Sequence, residues 1–357
     1  METTNHLFPW LELIDRPAFC VKDGIVVDTN TAAQHRMLQE GMQVQQIVTD
    51  HRDVYETFEN GCLYLTITLG EIPCTASVTR TKECDVFLLH QDTDDDHLQT
   101  LALAAQQLRI PLSNVMTVSD QLLEKLDRSD EDFQYHSSQM NHGLFQLLRI
   151  ISNMSDASSY NRIPFSGMQT VNLTAVIDEI VEKAQAVSAD AGLTISYSGP
   201  DCAIFGLASE EKLERAIFNL LSNAMKFSPA GSAIDVKLTK SGNLLTLTIC
   251  NPNLDTVREH SFWKQYRREP SIEDSRFGLG LGMTLVSAVA SAHGGTVLVD
   301  APQPGQTRVT LTIAIKKDTS GIVRSPAFRI GDYAGGRDKG LLELSEILPS
   351  DAYKKSN

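Results

Sequence analysis

The sequence lacks the features that membrane, secreted and nucleic-acid-binding proteins need. None of its 357 residues belongs to an uncharged apolar run of 18, so no transmembrane helix is predicted. The N-terminus, METTNHLFPWLELID, has no basic flank followed by a long apolar stretch, which is not the pattern of a signal peptide. The formal net charge of -14 argues against non-specific binding to nucleic acids or to anionic membranes. We therefore expect a cytoplasmic protein with neither a nucleic-acid nor a membrane partner.

Paired cysteines are also missing. The six cysteines are scattered along the chain: Cys20, Cys62, Cys74, Cys84, Cys202 and Cys250. No two of them form a CxxC motif, so neither a zinc site nor a disulfide framework is indicated, and a reduced cytosolic setting fits. Hydrophobic residues make up 42% of the chain and charged residues 21%, as in globular proteins. A chain of this length is expected to hold two or three domains.

Residues 1–91 carry short runs in which apolar residues alternate, and these predict an α+β domain. Asp23-Gly24 predicts a turn between two strands. The stretch Gly24–Ala33 then passes from strand into helix, with Asn30 as a candidate helix cap. This stretch resembles the start of a PAS sensor domain. A small α+β dimerisation module without a ligand remains the alternative for residues 1–91.

The acidic residues 92–96 predict a solvated linker and a favourable start for a helix. Residues 97–160 then predict a helical hairpin, because both helices carry apolar seams. The first helix has two rows with a spacing of seven: Leu101, Leu108, Val115 and Leu122, then Ala105, Leu112, Ser119 and Leu126. The second helix has Met140, Leu144, Leu147, Ile151 and Met154. Two helices cannot close a core alone, so we expect a homodimeric four-helix bundle.

The first helix contains the run Gln106-Gln107-Leu108-Arg109-Ile110-Pro111-Leu112. It resembles the phosphoacceptor box of bacterial sensor histidine kinases, which reads roughly His-Glu-Leu-Arg-x-Pro-Leu. Gln106 stands at the His position and Gln107 at the adjoining acid. The lone pair of an amide nitrogen is delocalised, so the nucleophile and the base are both missing. We expect Gln106 to face outward beside the seam residue Ala105, and Pro111 to kink the helix.

Residues 165–316 alternate helical and strand periodicity, which predicts an α/β sandwich. Helices are predicted at 173–188, 210–227 and 283–293, and strands at 193–197, 233–239, 244–250, 296–299 and 308–315. Gly294-Gly295 should end the last helix, with His293 favourable at its negative end. Residues 317–357 are polar and glycine-rich, and they predict a tether with one short peripheral helix at 341–348.

Three polar residues line one ridge of the helix at 210–227. Asn219, Asn223 and Lys226 are spaced four and three apart, beside an apolar stripe. An amide oxygen can coordinate Mg²⁺ without repelling a triphosphate, and a lysine supplies a charge for phosphate oxygens. A solvated helix face is the alternative. The later run Gly278-Leu279-Gly280-Leu281-Gly282 leaves backbone amides open to phosphate ahead of a helix N-terminus.

Together, these two motifs closely resemble the ATP-binding domain of histidine kinases, part of the GHKL superfamily (gyrase, chaperone, histidine kinase, MutL; the Bergerat fold). The resemblance covers roughly residues 97–316. The nucleotide-binding positions that it implies are Asn219, Asn223, Lys226, Phe227, Asn251, Gly278, Gly280, Leu281, Gly282 and Thr307. Asn223 would be the Mg²⁺ ligand, Asn219 and Lys226 would contact phosphates, and Phe227 would lie against the adenine.

The remaining positions belong to the lid and to the adenine end of the site. The glycine run would form the phosphate-facing base of the lid, Phe262 its aromatic residue, and Thr307 a Gly-x-Thr element near the adenine. The chain departs from the family at the first glycine box, where residues 251–255 read Asn-Pro-Asn-Leu-Asp instead of Asp-x-Gly-x-Gly. Asn251 can still accept a hydrogen bond from the adenine amine. Both glycines are gone, so the loop must close differently.

The resemblance implies a sensor protein of two-component signalling that binds ATP and Mg²⁺. It would form a homodimer or pair with an active histidine kinase, and it could contact a response regulator. With Gln106 it is expected to be a pseudokinase. An active kinase with a relocated acceptor is one alternative, with His142 ahead of His97 and His136, although we expect His142 to be an outward-facing, solvated surface residue. ATP hydrolysis or serine phosphorylation is disfavoured because Asn219 stands where a glutamate base is common. A scaffold without nucleotide is the last alternative.

Overall fold

The computed structural model of the chain describes residues 7–14, 16–70, 72–89, 95–125, 131–157, 168–253, 281–316 and 336–354. Along the chain they form an α+β unit, a helical hairpin, an α/β unit and a C-terminal segment. In these ranges, no helix combines the length and the apolar character needed to cross a membrane.

The N-terminal unit is an antiparallel sheet with short helices between its second and third strands. The strands are β1 (Ala18–Lys22), β2 (Ile25–Thr29), β3 (Cys62–Leu69), β4 (Ile72–Arg80) and β5 (Asp85–Leu89), in the spatial order β2-β1-β5-β4-β3. The helices are α1 (Thr31–Gln34), α2 (Val44–Ile47) and α3 (Arg52–Thr57), and a 3-10 turn, Pro9–Leu13, precedes β1. The predicted α+β organisation is therefore present.

The predicted turn and helix cap of this unit are both confirmed. Asp23 and Gly24 have φ values of 52° and 77°, and they connect the antiparallel pair β1 and β2. The Asn30 side chain accepts the N–H of Ala33 at 2.9 Å and caps α1. It also accepts the N–H of Ala18 at 3.0 Å. The buried Asn30 amide thus fixes α1 against the first strand.

The hairpin consists of α4 (Asp95–Lys125) and α5 (Glu131–Ala157). The first helix begins inside the predicted acidic linker, whose first residues, Asp92 to Asp94, lie outside the described residues, as does the predicted break at 127–130. Pro111 lies inside α4, and the helix continues through it. The kink at this proline stays a prediction.

The two apolar rows of α4 have different surroundings. Ala105, Leu112 and Ser119 are buried, at 0%, 8% and 4% exposure. The other row remains half exposed: Leu108 at 50%, Val115 at 54% and Leu122 at 54%. Two further row members, the side chain of Leu101 and all of Leu126, lie outside the described residues. A single hairpin therefore covers one row and leaves the second row open to another surface.

The α/β unit has helices packed against an antiparallel sheet that gains one parallel edge strand. Its strands are β6 (Gln169–Asn172), β7 (Thr194–Ser198), β8 (Phe205–Ala208), β9 (Ala233–Ser241), β10 (Leu244–Pro252), β11 (Val297–Asp300) and β12 (Gln306–Ala314). Its helices are α6 (Leu173–Ser188), α7 (Glu210–Phe227) and α8 (Leu281–Ala292). The predicted elements are present within two residues at each end. The strands β6 and β8 were not predicted.

The two sheets join into one. Within the described residues, ten strands follow in the order β2-β1-β5-β4-β3-β11-β12-β10-β9-β7, and β6 pairs separately with β8. The junction is the antiparallel pair β3 and β11, with Leu63 opposite Leu298. Gly61 has φ +90°, and a Cβ there would lie 2.1 Å from the Val299 carbonyl oxygen. Only glycine permits this close approach.

The C-terminal segment, residues 336–354, contains α9 (Lys339–Glu343) and a 3-10 turn, Ser350–Tyr353. The prediction of a peripheral helix at 341–348 is wrong. Leu342 and Leu344 are 0% exposed and belong to the hydrophobic core shared with α5, α6 and α7. The helix stops at Glu343, and the following turns bury apolar side chains on more than one side. A peripheral helix would have left one side of this run in solvent.

We expect Leu344→Ala to lower the free energy of unfolding by about 2–5 kcal/mol, because it removes a fully buried side chain and leaves a cavity. Urea denaturation followed by circular dichroism measures this change. Leu13→Ala serves as a control, since Leu13 is 74% exposed and its loss should have little effect. Equal and small effects of the two substitutions would mean that the segment is peripheral after all.

Candidate functional site

Helix α7 carries the candidate site, because it has a buried apolar stripe and a polar ridge beside that stripe. It packs against α6 and α8 and lies on β10. The predicted apolar stripe is buried, each residue at 5% exposure or less: Leu213, Ala216, Ile217, Leu220, Leu221 and Ala224. Glu210 and Glu211 lie in the first turn, where carboxylates favour the positive end of the helix. The stripe fixes the rotation of α7 and thereby the position of the polar ridge beside it.

Asn219 is more deeply buried than a solvated ridge would allow, at 5% exposure. Its Nδ2 donates to the Arg215 carbonyl oxygen at 2.9 Å, so its Oδ1 points the other way. A Cβ added to Gly282 would lie 3.0 Å from that Oδ1. The structure thus brings the first residue of the ridge to the last glycine of the glycine run. A side chain at position 282 would press on the amide oxygen of Asn219.

Asn223, Lys226 and Phe227 are half buried at the C-terminal end of α7. The side chain of Lys226 is only 11% exposed, and its Nζ lies 3.1 Å from the Glu346 Oε2 atom of the C-terminal segment. A cavity of about 270 Å³ lies beside this ion pair, and both partners line it. The cation predicted to meet phosphate therefore has a carboxylate partner from its own chain.

Asn251 and Thr307 lie directly opposite each other on β10 and β12. Asn251 is 3% exposed, and its Nδ2 donates to the Pro252 carbonyl oxygen at 3.0 Å. The structure also shows how this strand end is held without the usual glycines. Asn253 donates its backbone N–H to the Gly305 carbonyl oxygen at 2.7 Å and its side-chain Nδ2 to Thr307 Oγ1 at 3.0 Å. Sequence reasoning missed this role of Asn253.

Several predicted positions cannot be compared with the structure. Gly278, Gly280 and Phe262 lie outside the described residues, as do the side chains of Leu281 and His97. Gln106 is exposed on α4, next to the buried Ala105, as predicted, and Gln107 is exposed as well. His136 is exposed on α5.

His142 was expected to be a solvated residue, and this expectation is wrong. It is half buried, because the C-terminal segment covers it. Its Nε2 donates to the Ser345 carbonyl oxygen at 2.8 Å, and its ring stacks on Tyr353 with centroids 4.9 Å apart. Gln146 donates to the same carbonyl oxygen at 3.1 Å. Facing away from the apolar seam did not mean facing water, since a distant part of the chain covers that side.

A buried group of charges connects α5, α7 and the C-terminal segment, and no sequence motif predicted it. Glu343 is 0% exposed, with its Oε1 3.2 Å from Arg215 Nη1 and its Oε2 3.7 Å from Arg149 Nε. The two arginines are 1% and 4% exposed. Arg215 also donates to the side-chain oxygen of Asn153 at 2.7 Å, and Arg149 to the hydroxyl of Ser222 at 3.0 Å. These two hydrogen bonds offset part of the free-energy cost of removing the arginine charges from water.

Glu346 extends this group toward the candidate site. Its Oε2 lies 3.2 Å from Arg149 Nη1 and 3.1 Å from Lys226 Nζ. Burial alone would raise the pKa of Glu346, but the charges of Arg149 and Lys226 outweigh it and hold this pKa below its ordinary value. Glu346 is therefore an anion at neutral pH, beside the lysine of the ridge.

His293 connects the two helices that carry the motifs. It is 1% exposed, its Nδ1 donates to the Val289 carbonyl oxygen at 2.7 Å, and its Nε2 accepts the N–H of Ser209 at 3.2 Å. Burial lowers the pKa of His293, so it is neutral at pH 7. The prediction that it acts as a cation at the end of α8 is therefore wrong. Instead, it fixes the end of α8 to the start of α7.

Residues 208–317 match the family model described as histidine kinase-, DNA gyrase B-, and HSP90-like ATPase. The sensor histidine kinase CusS of Escherichia coli (strain K12) is 28% identical over 215 residues, which cover 58% of this chain and 44% of CusS. The probable sensor kinase SilS of Salmonella typhimurium is 27% identical over 205 residues, covering 55% of this chain and 41% of SilS. The chain thus spans less than half the length of these relatives.

Among solved structures, full-length ShkA in complex with AMPPNP is similar with a TM-score of 0.49. The sequence identity is 18%, and the match covers 62% of this chain and 46% of that chain.

We expect His293→Gln to flatten the pH dependence of folding stability. In the unfolded chain, histidine takes up a proton as the pH falls below about 6.5, whereas the buried His293 stays neutral until a lower pH. Its contribution is therefore complete above that pH and is lost as the pH falls. Urea denaturation at about pH 7.5 and 5.5 measures the difference. His136→Gln, at an exposed position, should keep the wild-type slope; the same slope in both variants would contradict this role of His293.

Proposed function

We propose that the chain is a two-component signalling protein of the sensor histidine kinase family, which binds Mg-ATP without phosphorylating itself at the usual position. The observation that carries the proposal is Gln106. It is exposed on α4, where the resembled box holds its acceptor histidine. An amide there is accessible to a nucleotide but cannot attack a phosphate.

The ridge of α7 and its surroundings support ATP binding. The match over residues 208–317 includes Asn219, Asn223 and Lys226. The contact between Asn219 and Gly282 supports a joint role of the two motifs, and the register of Asn251 with Thr307 supports an adenine end on β10 and β12. An adenine amine would find the carbonyl oxygen of Asn251 as its acceptor in place of a carboxylate.

Asn223 is the residue that we propose for Mg²⁺. Within the described ranges, no three His, Cys, Asp or Glu side chains are grouped to hold a metal ion. Mg²⁺ in nucleotide sites commonly keeps water and phosphate ligands and takes few from the protein. The half-buried Asn223 fits this chemistry, since its neutral oxygen adds no repulsion to a triphosphate. Lys226 would supply positive charge for the phosphates.

The hairpin supports a dimer. The half-exposed row Leu108, Val115 and Leu122 is apolar, and a second hairpin would bury it in a four-helix bundle. We propose a homodimer, with pairing to an active histidine kinase as the other arrangement and a response regulator as a further partner. The strand order β2-β1-β5-β4-β3 and the capping Asn30 support a PAS-like sensor role for the N-terminal unit.

A relocated acceptor at His142 is the second candidate. His142 Nε2 lies 2.8 Å from the Ser345 carbonyl oxygen and 3.0 Å from Gln146 Nε2, so neighbouring groups already occupy this nitrogen. Attack on a phosphate by Nε2 would require the C-terminal segment to move away. The exposed Gln106 therefore remains the better guide to function.

We expect the purified wild-type chain to take up no label from γ-³²P-ATP, whereas Gln106→His should become labelled. The substitution restores the nucleophile at an exposed position of a chain that we propose to bind Mg-ATP. Acid-labile label, followed by gel autoradiography over time, measures the reaction. Gln134→His, at an exposed position of α5, is the control for an added histidine. Label on the wild-type chain that His142→Ala removes would favour the relocated acceptor instead.

We expect Asn223→Ala to weaken the binding of Mg-ATP by about tenfold or more, with a smaller effect when Mg²⁺ is replaced by EDTA, because the lost oxygen is a metal ligand. Titration with trinitrophenyl-ATP measures both affinities. Asn243→Ala, on the exposed turn between β9 and β10, should bind like the wild-type chain. An equal loss with and without Mg²⁺ would assign Asn223 to another role.

A further inference from the structure

The C-terminal segment puts a carboxylate where the proposed function needs a phosphate. Lys226 Nζ lies 3.1 Å from Glu346 Oε2, and the lysine side chain is only 11% exposed. A carboxylate and a phosphate present the same kind of anionic oxygen to an ammonium group. Glu346 and a phosphate would therefore compete for the ammonium group of Lys226. Occupation by Glu346 therefore opposes occupation by a phosphate.

The contacts of the segment differ in strength along its length. Glu343 is fully buried between two arginines, and its removal would leave their charges without this partner in the interior. Glu346 is 30% exposed and contacts one of those arginines together with Lys226. If Glu346 leaves, Arg149 keeps Glu343 and Ser222 as partners. The segment can thus release Lys226 while Glu343 stays in place.

We propose that residues 336–354 form an autoinhibitory clasp: Glu346 holds Lys226 in place of a nucleotide phosphate, and nucleotide binding displaces Glu346. This inference rests on the proposed function, because it assigns Lys226 to phosphate. The cavity of about 270 Å³ beside the ion pair has Met225, Lys226, Ser228, Glu346 and Ile347 in its wall, so a ligand can reach the ammonium group.

Displacement of Glu346 would be felt on the hairpin. The residue before it, Ser345, accepts the bonds from His142 and Gln146 of α5 through its carbonyl oxygen. Tyr353 stacks on the same histidine. A phosphate on Lys226 therefore competes with Glu346, and the residue before Glu346 contacts the hairpin. Nucleotide binding and release of the segment are linked, so a change on α5 that favours release should also tighten nucleotide binding.

The first experiment compares the full chain with Glu346→Gln, which keeps the size of the side chain and removes its charge. We expect trinitrophenyl-ATP with Mg²⁺ to bind Glu346→Gln about tenfold more tightly, a change of about 1.4 kcal/mol. Asp351→Asn is the matched control, since Asp351 also belongs to the segment but forms an exposed ion pair with Lys354, at 2.7 Å, away from Lys226. Equal affinities of the wild-type chain and Glu346→Gln, or weaker binding by the variant, would overturn the inference.

A double-mutant cycle tests whether the competition takes place at Lys226. In the Lys226→Gln background, the gain from Glu346→Gln should largely vanish, because the shared cation is gone. A gain that persists undiminished would mean that Glu346 acts through general charge repulsion, and it would overturn the assignment to Lys226.

Hydrogen exchange of the wild-type chain gives a readout that does not depend on affinity. Saturating Mg-ATP should increase exchange in the amides of 344–354 and leave α9 protected, because Glu343 stays bound. Nucleotide binding without any change there would overturn the clasp and leave the proposed function standing. Absence of nucleotide binding in the wild-type chain and in all variants would contradict the proposed function, and the clasp with it.

Discussion

The arrangement of the protein depends on the burial of one carboxylate. Glu343 lies between Arg149 of the hairpin and Arg215 of α7, and all three side chains are at most 4% exposed. Breaking a buried pair on one side commonly costs about 3–5 kcal/mol, because it strands a charge in the interior. The hairpin, the α/β unit and the C-terminal segment therefore hold one another in place. Without the segment, Arg149 and Arg215 would both lose this buried carboxylate as a partner.

This constraint explains why the C-terminal segment is part of the core rather than an appendage. Once Glu343 is fixed, the leucines on either side of it have to enter the hydrophobic core, and Leu342 and Leu344 are both 0% exposed. The next carboxylate, Glu346, then arrives at Lys226, and Ser345 arrives at His142. One buried ion group thus determines the surroundings of Lys226 and His142, the two residues that the proposals above concern. The same group also shows why His142 is less available than its place on α5 suggests.

Local sequence patterns predicted most of the helices and strands, but only some of the contacts around the candidate site. The bounds of α6 and α7, the cap at Asn30, the turn at Asp23-Gly24 and the exposure of Gln106 follow from periodicity and from the chemistry of single residues. The pairing of β3 with β11, the bond from Asn253 to Thr307 and the burial of Glu343 could not be predicted, since each joins segments far apart in sequence. For His293, a polar residue at a helix end suggested a cation, whereas burial in the folded chain keeps it neutral.

With glutamine at position 106, the binding energy of a nucleotide has no ordinary phosphotransfer to drive at that position. It can still shift the equilibrium between two conformations, provided that the nucleotide binds one of them more tightly. Such a difference requires a contact that the nucleotide and the protein cannot make at the same time, and the ion pair of Lys226 with Glu346 is one. The sheet junction at β3 and β11 meanwhile attaches the N-terminal unit to the same α/β layers. A signal at the N-terminal unit and a nucleotide at α7 would then act on one connected structure, with ATP serving as a ligand rather than as a phosphate donor.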